Sequence, residues 1–475
     1  MLNEFYERIG ARSAVAPIIL SVALMLFFGF ALTRITKRLR LPNVTAYIAA
    51  GILLGPYALD LVPSEVVAGM AFLSDIALAF IAFGVGEFFK LGALRRNGWR
   101  VVVITLSEAL LSSVLVFFVA YFALGLSFAF SLVLAALASA TAPASTVMTI
   151  RQTGARGDFV DTLLQVMALD NVVSLLSYSV AISVAVITLG GGALSFSGVA
   201  APILRNLLGV LIGLAFGFLL RLLIPKGRTT DNRLIIVVAL LFLFCGVCAI
   251  IDVSPLLGCM MIGAVYTNLG GDDKLFLQVS YFSPPILLLF FVRSGIGFRL
   301  DTLFAGGVGM VAYPLIIVSL VYFLVRIVGK VGGSYLGCLA AGKEIRIRKY
   351  LGFAEIPQAS VAIGLAVLGA RALGGEMGAT LETVVVAAGV LYEIVGPVSA
   401  KLALYLSGSY TDPLAHIEPP EDGQDEVAYL VARIEQIRAA LPKRSVNEEE
   451  AAFTEAAYDQ REMLARRQRG PFRRF

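Results

Sequence analysis

The 475-residue chain is short of the groups that soluble enzymes rely on: it has one histidine, one tryptophan and four cysteines, and only 15% of its residues are charged. No pairing of nucleophile and base, no cluster with metal-ligand spacing and no phosphate loop stands in the sequence, which removes the common catalytic classes. Cys245, Cys248, Cys259 and Cys338 all fall inside apolar stretches, so neither a disulfide framework nor a zinc site is implied. Cys245 and Cys248 imitate a CxxC pair, but no second pair accompanies them, and they read as small apolar filler. No cofactor and no resident metal are expected.

Long polar stretches are also missing until the chain is nearly finished. Hydrophobic residues make up 58% of it and its mean hydropathy is +0.86, too apolar for a water-soluble domain. Apolar runs of roughly 20 residues, enough to cross a hydrocarbon core of about 30 Å, recur from Ala14 to Lys401. We place thirteen spans near 14–33, 43–60, 66–89, 101–125, 128–150, 160–187, 197–220, 234–251, 255–269, 276–297, 311–340, 350–370 and 380–405. The first run, Ala14 to Leu32, is too long for a signal-peptide core and no small-residue cleavage site follows it, so it counts as a span.

Charge tests this count. The net charge of +5 does not point to nucleic acid, because the basic residues sit in short loops between spans. With the N-terminus outside, nineteen lysines and arginines fall in cytoplasmic loops and only Arg8, Arg12, Arg299 and Arg371 outside. That asymmetry supports an odd number of spans and a cytoplasmic C-terminus, and the compact loops suggest the inner or plasma membrane of a prokaryote. Residues 1–405 thus form a membrane transport domain in contact with lipid, and 406–475 a charged cytoplasmic tail. From Ser409 onwards lie 13 of the 33 acidic residues, 10 of the 38 basic ones and the only histidine, His416. In the tail Val427, Leu430, Ile434, Ile437 and Leu441 have heptad-like spacing, which predicts one amphipathic helix, and a second charged helix is expected from about Asn447 to Arg467.

Two spans contain proline beside small polar residues, at ASATAPASTV around Pro143 and at GFAEIPQASV around Pro357. Each should kink or unwind near mid-membrane, since proline removes a backbone donor and clashes with the preceding turn. If spans 2–6 and 9–13 are two five-helix halves of opposite orientation, both prolines fall in the fourth helix of their half. Matching interruptions in inverted repeats point to a transporter's midplane site, although an ordinary kink in either helix is the alternative.

Ionisable residues at membrane depth are the remaining signal, because each costs about 2.5 to 3.5 kcal/mol unless paired, hydrated or used. Asp170 lies near the middle of span 6, Arg326 bisects span 11 with Lys330 one turn on, and Glu355 precedes the second break. A carboxylate beside an unwound helix binds a cation or a proton but not both at once, which is the physical basis of antiport. Asp170 is the first choice, with Arg326 as the basic partner that a cation displaces; a fixed structural pair is the alternative. Lys330, Glu355 and Gln358 are secondary candidates, with Lys330 and Glu355 able to pair. Asp75, Glu87 and Glu108 are assigned to interfaces or helix contacts.

At this point the chain resembles the cation/proton antiporter superfamily, with the sodium/proton exchanger fold, over about residues 40–405. LPNVTAYIAAGILLGP resembles the second span, ATAPASTVMTIRQTGARGD the broken helix and its loop, and ALDNVVSLLSYS the ion-site helix. SPLLGCMMIGAVYTN, LLLFFVRSGIGFRL, RIVGKVGGSYLG, IPQASVAIGLA and EIVGPVSAKLAL follow in the order expected. The resemblance implies an all-α polytopic protein with inverted five-helix repeats and two broken crossing helices. It further implies a homodimer that exchanges a monovalent cation, Na+ or K+, for H+ by an elevator-like mechanism. The matching site positions are Thr141, Pro143, Asp170, Asn171 and Arg326. One departure matters: members of the family typically carry the essential carboxylate second in the span 6 pair, whereas here Asp170 precedes Asn171. Adjacent helical positions point about 100° apart, so either Asp170 has taken over the task or coupling has changed. One carboxylate with one basic partner favours electroneutral exchange. Some relatives carry a nucleotide-binding regulatory domain, but this tail shows no GxGxxG after a strand. A symporter or organic-anion carrier holding its substrate on Arg326 and Lys330, and a membrane sensor without transport, remain as alternatives.

Overall fold

The computed structural model describes residues 15–38, 43–92, 98–190, 196–224, 230–251, 253–270, 274–304, 313–358 and 360–410. The chain divides between Ser409 and Tyr410. The two helices expected in the tail, at 427–441 and 447–467, lie outside the described residues.

Among the described residues there is helix and no strand. Lipid imposes this, since a backbone polar group left unpaired in hydrocarbon costs several kcal/mol and a helix pairs its own. The first elements are α1 (Val15–Arg38), α2 (Asn43–Leu54), the short α3 (Ser64–Gly69), α4 (Phe72–Gly86) and α5 (Trp99–Phe118), which ends in a π-helical turn at Val119–Ala123. Then come α6 (Phe128–Ser139), α7 (Pro143–Thr153), α8 (Asp158–Leu189), α9 (Phe196–Leu223) and α10 (Thr230–Ile250). The rest are α11 (Pro255–Asn268), α12 (Lys274–Phe282), α13 (Pro284–Ile296), α14 (Leu300–Phe304), α15 (Leu315–Ala340), α16 (Ile345–Ala354), α17 (Ser360–Leu373) and α18 (Gly375–Leu406).

Seven of these, α1, α5, α8, α9, α10, α15 and α18, are long and apolar enough to cross a bilayer, and α12 with α13, bent by 47°, makes an eighth. Each of the thirteen expected spans falls on helix. Span 2 is shorter than expected and stops at Leu54, where the chain turns through residues 55–63 and Asp60 adopts a left-handed φ of 48°. Spans 5 and 12 are broken, as their prolines predict, into α6 with α7 and α16 with α17, and spans 3 and 10 are divided as well, into α3 with α4 and α12 with α13.

Packing recurs in matched pairs. Helix α2 packs on α13 as α11 packs on α4, α5 on α6 as α15 on α16, and α5 on α8 as α15 on α18. The closest backbone crossings repeat as well: a Cβ at Gly51 would lie 2.7 Å from Gly295 Cα, and one at Gly263 would lie 3.2 Å from Gly86 Cα.

Another close crossing positions the site. Gly329, Gly333 and Gly337 recur every four residues on α15 and run antiparallel to Ser112, Glu108 and Ile104 of α5. A Cβ at Gly329, Gly333 or Gly337 would lie 2.5, 2.5 or 2.7 Å from the respective Cα, so only glycine permits this approach. The other face of α15 is apolar and open, with Leu320, Leu324 and Val328 48%, 51% and 64% exposed, while Arg326 and Lys330 are wholly buried. Lipid on one side and charge on the other thus share one helix.

Candidate functional site

The two breaks cross each other. Helix α6 ends at Ser139, Ala140 and Ala142 are extended, and Pro143 opens α7, where its missing N–H costs nothing. Helix α16 ends at Ala354 and residues 356–358 are non-helical around Pro357. The Ala142 N–H donates to Pro357 O at 2.9 Å, tying one break to the other.

Helix ends leave carbonyls without partners, and their aligned dipoles favour a cation there. Arg326 meets both requirements at both breaks. Its Nε donates to Ala138 O at 2.8 Å, Nη2 to Ala140 O at 2.6 Å and Nη1 to Ile356 O at 2.9 Å. Its Cζ also lies 4.7 Å over the Tyr392 ring. Gln358 adds a clamp of the same kind, donating from Nε2 to Leu137 O at 2.7 Å and bonding Tyr322 Oη.

Lys330, one turn along α15, meets side chains instead. Its Nζ is 3.0 Å from Asp170 Oδ2 and 2.7 Å from Glu108 Oε2, with all three side chains wholly buried. Nζ also lies 3.0 Å from Thr141 Oγ1, and the Thr141 hydroxyl donates to Asp170 Oδ2. Glu355, equally buried, accepts from Ser334 Oγ at 2.6 Å. Two carboxyl groups therefore contact one ammonium, and a third is buried on the neighbouring break. Asp170 Oδ1 and Asn171 Oδ1 are buried and have no hydrogen-bond partner among the described residues.

These positions correct two expectations. The cation paired with Asp170 is Lys330, not Arg326, whose planar guanidinium is committed to three backbone carbonyls that an ammonium point charge could not span. Lys330 forms its close ion pairs with Asp170 and Glu108, while Glu355 is held by Ser334. Glu108 does lie at a helix contact, and that contact, the Gly333 crossing, brings it to Lys330. Asp75 does lie at a partly exposed helix contact, 3.2 Å from Arg371. Asn171 turns its amide back to Met167 O at 2.8 Å, so Asp170, not its neighbour, faces the lysine. A cleft between the end of α4 and α8 is lined by Lys90, Gln165, Ala168 and Leu169, the last adjacent in sequence to Asp170.

The family model for the transmembrane region of sodium/hydrogen exchangers matches residues 22–397. Among solved structures, the sodium proton antiporter MjNhaP1 from Methanocaldococcus jannaschii at pH 8 is similar in fold, with a TM-score of 0.63 at 18% identity over 83% of this chain and 99% of that one. A three-dimensional EM map of the same antiporter gives 0.64 at 17% identity, covering 85% and 99% of the two chains. No curated protein matches the chain by sequence.

Proposed function

The chain belongs to the sodium/hydrogen exchanger family, and on that premise we propose that it exchanges a monovalent cation, Na+ or K+, for H+ at Asp170. One observation carries the reading: two buried carboxyl groups, Asp170 and Glu108, contact a single lysine, and a third, Glu355, is buried on the neighbouring break with Ser334 as its hydrogen-bond donor. Fully ionised, such a cluster holds two uncompensated negative charges away from water, which a protein avoids by taking up protons or a cation. The open carbonyl-type oxygens of Asp170 and Asn171 and the hydroxyl of Thr141 supply hard ligands of the kind small cations take.

Lys330 competes with the arriving ion for the same carboxylate. A cation bound to Asp170 weakens the lysine's hold, and the compensating loss of positive charge from the cluster is the proton that leaves. Cation and proton are thereby coupled without a net change of charge in the site, which is electroneutral exchange. Arg326 and Gln358 hold the crossing of the breaks while this occurs.

The finer features follow from the family and from charge. The protein works as a homodimer, with the crossing helices and α8 moving as an elevator against a fixed remainder, in a prokaryotic inner or plasma membrane with its C-terminus inside. The basic loops support that orientation. An organic-anion carrier is disfavoured, because both buried cations already have partners: Arg326 has carbonyls and Lys330 has carboxylates.

The test is proton movement in proteoliposomes on addition of sodium, potassium or lithium, beside a panel of organic anions. A response to at least one alkali cation is expected. Silence with all of them and a response to an anion would replace this reading with the carrier.

A further inference from the structure

Lys330 does not stand between a carboxylate and empty space. Its ammonium is 3.0 Å from Asp170 and 2.7 Å from Glu108, so a short swing about its terminal bonds passes it from one to the other. Glu355 is buried beside the same crossing: Ser334 donates to it at 2.6 Å, and a Cβ at the preceding residue, Gly333, would lie 2.5 Å from Glu108 Cα. Carboxyl groups crowded together away from water ionise one at a time, so such a pair retains a proton. Glu108 Oε1 and Oε2 and Glu355 Oε1 are buried and have no hydrogen-bond partner among the described residues, and the cation in contact with Glu108 is Lys330. The remaining ionisable neighbours are Arg326, engaged with carbonyls, and Cys338.

We propose that Glu108 and Glu355 share the exchanged proton, and that Lys330 transmits cation binding at Asp170 to that pair by moving onto Glu108. This rests on the exchange reading and names its proton site. Without a cation, Lys330 lies on Asp170 and the two glutamates hold one proton between them. A cation arriving at Asp170 takes the lysine's place; the ammonium moves wholly onto Glu108, both glutamates ionise, and their proton leaves. Charge balances. Before binding, the sum over Asp170, the protonated glutamate pair and Lys330 is one negative; after it, three carboxylates, one ammonium and one monovalent cation again give one negative. Lys330 keeps its proton throughout.

The experiment is calorimetric titration of the purified full chain with sodium or potassium chloride, in two buffers that differ in ionisation enthalpy, which counts protons released per cation bound. Wild type should release close to one. Glu108→Gln should still bind the cation, with release falling to near zero, and Glu355→Gln should lower it in the same direction; the second variant decides if the first does not fold. Undiminished release by a folded variant of either glutamate would overturn the proposal and move the proton to Asp170 or Lys330, leaving exchange itself intact. Absence of cation binding and of proton flux in wild type would instead sink the exchange reading. Asp170→Asn, expected to bind no cation, marks the baseline.

Discussion

Two cations one helical turn apart on α15 live in different chemistry. Around Arg326 the partners are three backbone carbonyls and the face of the Tyr392 ring, none of them a carboxylate that could exchange it for a proton. Around Lys330 the partners are carboxylates and a threonine hydroxyl, each able to exchange a proton or accept another cation. Equal burial and like charge thus produce a fixed joint at one position and a replaceable contact at the next. Placement in this protein follows side-chain shape: a five-donor planar fork reaches three carbonyls at two helix ends, and a single ammonium serves groups that must let go.

Substitution at the two positions should break this contrast most strongly. Arg326→Gln strips three buried carbonyls of their donor and should cost on the order of 3–5 kcal/mol, as removal of one partner from a buried charged network does. The loss, read from the unfolding midpoint in detergent, should be the same from pH 5 to pH 8. Lys330→Gln should cost a similar amount at pH 8 but progressively less as pH falls, because carboxylates deprived of their cation can be neutralised by protons and carbonyls cannot. Parallel pH profiles for the two variants would remove the distinction.

A smaller effect is expected at the crossing that carries the lysine to Glu108. Gly333→Ala places a methyl 2.5 Å from Glu108 Cα and should cost about 1–3 kcal/mol by overpacking, together with slower exchange. Gly332→Ala, whose methyl would lie 3.5 Å from Leu111 Cδ2, should be near neutral in both assays. Smallest of all is Arg371→Gln, which removes a pair to Asp75 that is about one-third exposed on both sides; such pairs contribute roughly 0–1 kcal/mol, and transport should be unaffected.

The sequence made some of this plain and concealed the rest for identifiable reasons. Hydropathy located the spans because lipid tolerates few polar backbones, and Pro143 and Pro357 located both breaks because proline cannot continue a helix. Asp170 stood out as a carboxylate in an otherwise apolar helix. Its partner did not. Arg326 and Lys330 differ by one turn, and which of them meets α8 depends on how α15 crosses α5, a tertiary fact. The signal for that crossing was present in the four-residue repeat of Gly329, Gly333 and Gly337 beside Lys330, which marks close approach to another helix. Combined with the lone acid in the middle of span 4, it would have brought Glu108 to the lysine. The boundary of span 2 was overrun because a crossing was expected to need nearly 20 residues, and that length outweighed the turn signal of Gly55 and Pro56.

The most direct test of the exchange at Asp170 is cation-driven proton movement by Asp170→Asn beside wild type, in the same proteoliposomes and with folding checked by elution profile. We predict a complete loss of the response with the variant folded and inserted, since no carboxylate then remains for the cation and Lys330 to contest. Normal exchange by Asp170→Asn would contradict the account and shift the ion site to Glu355.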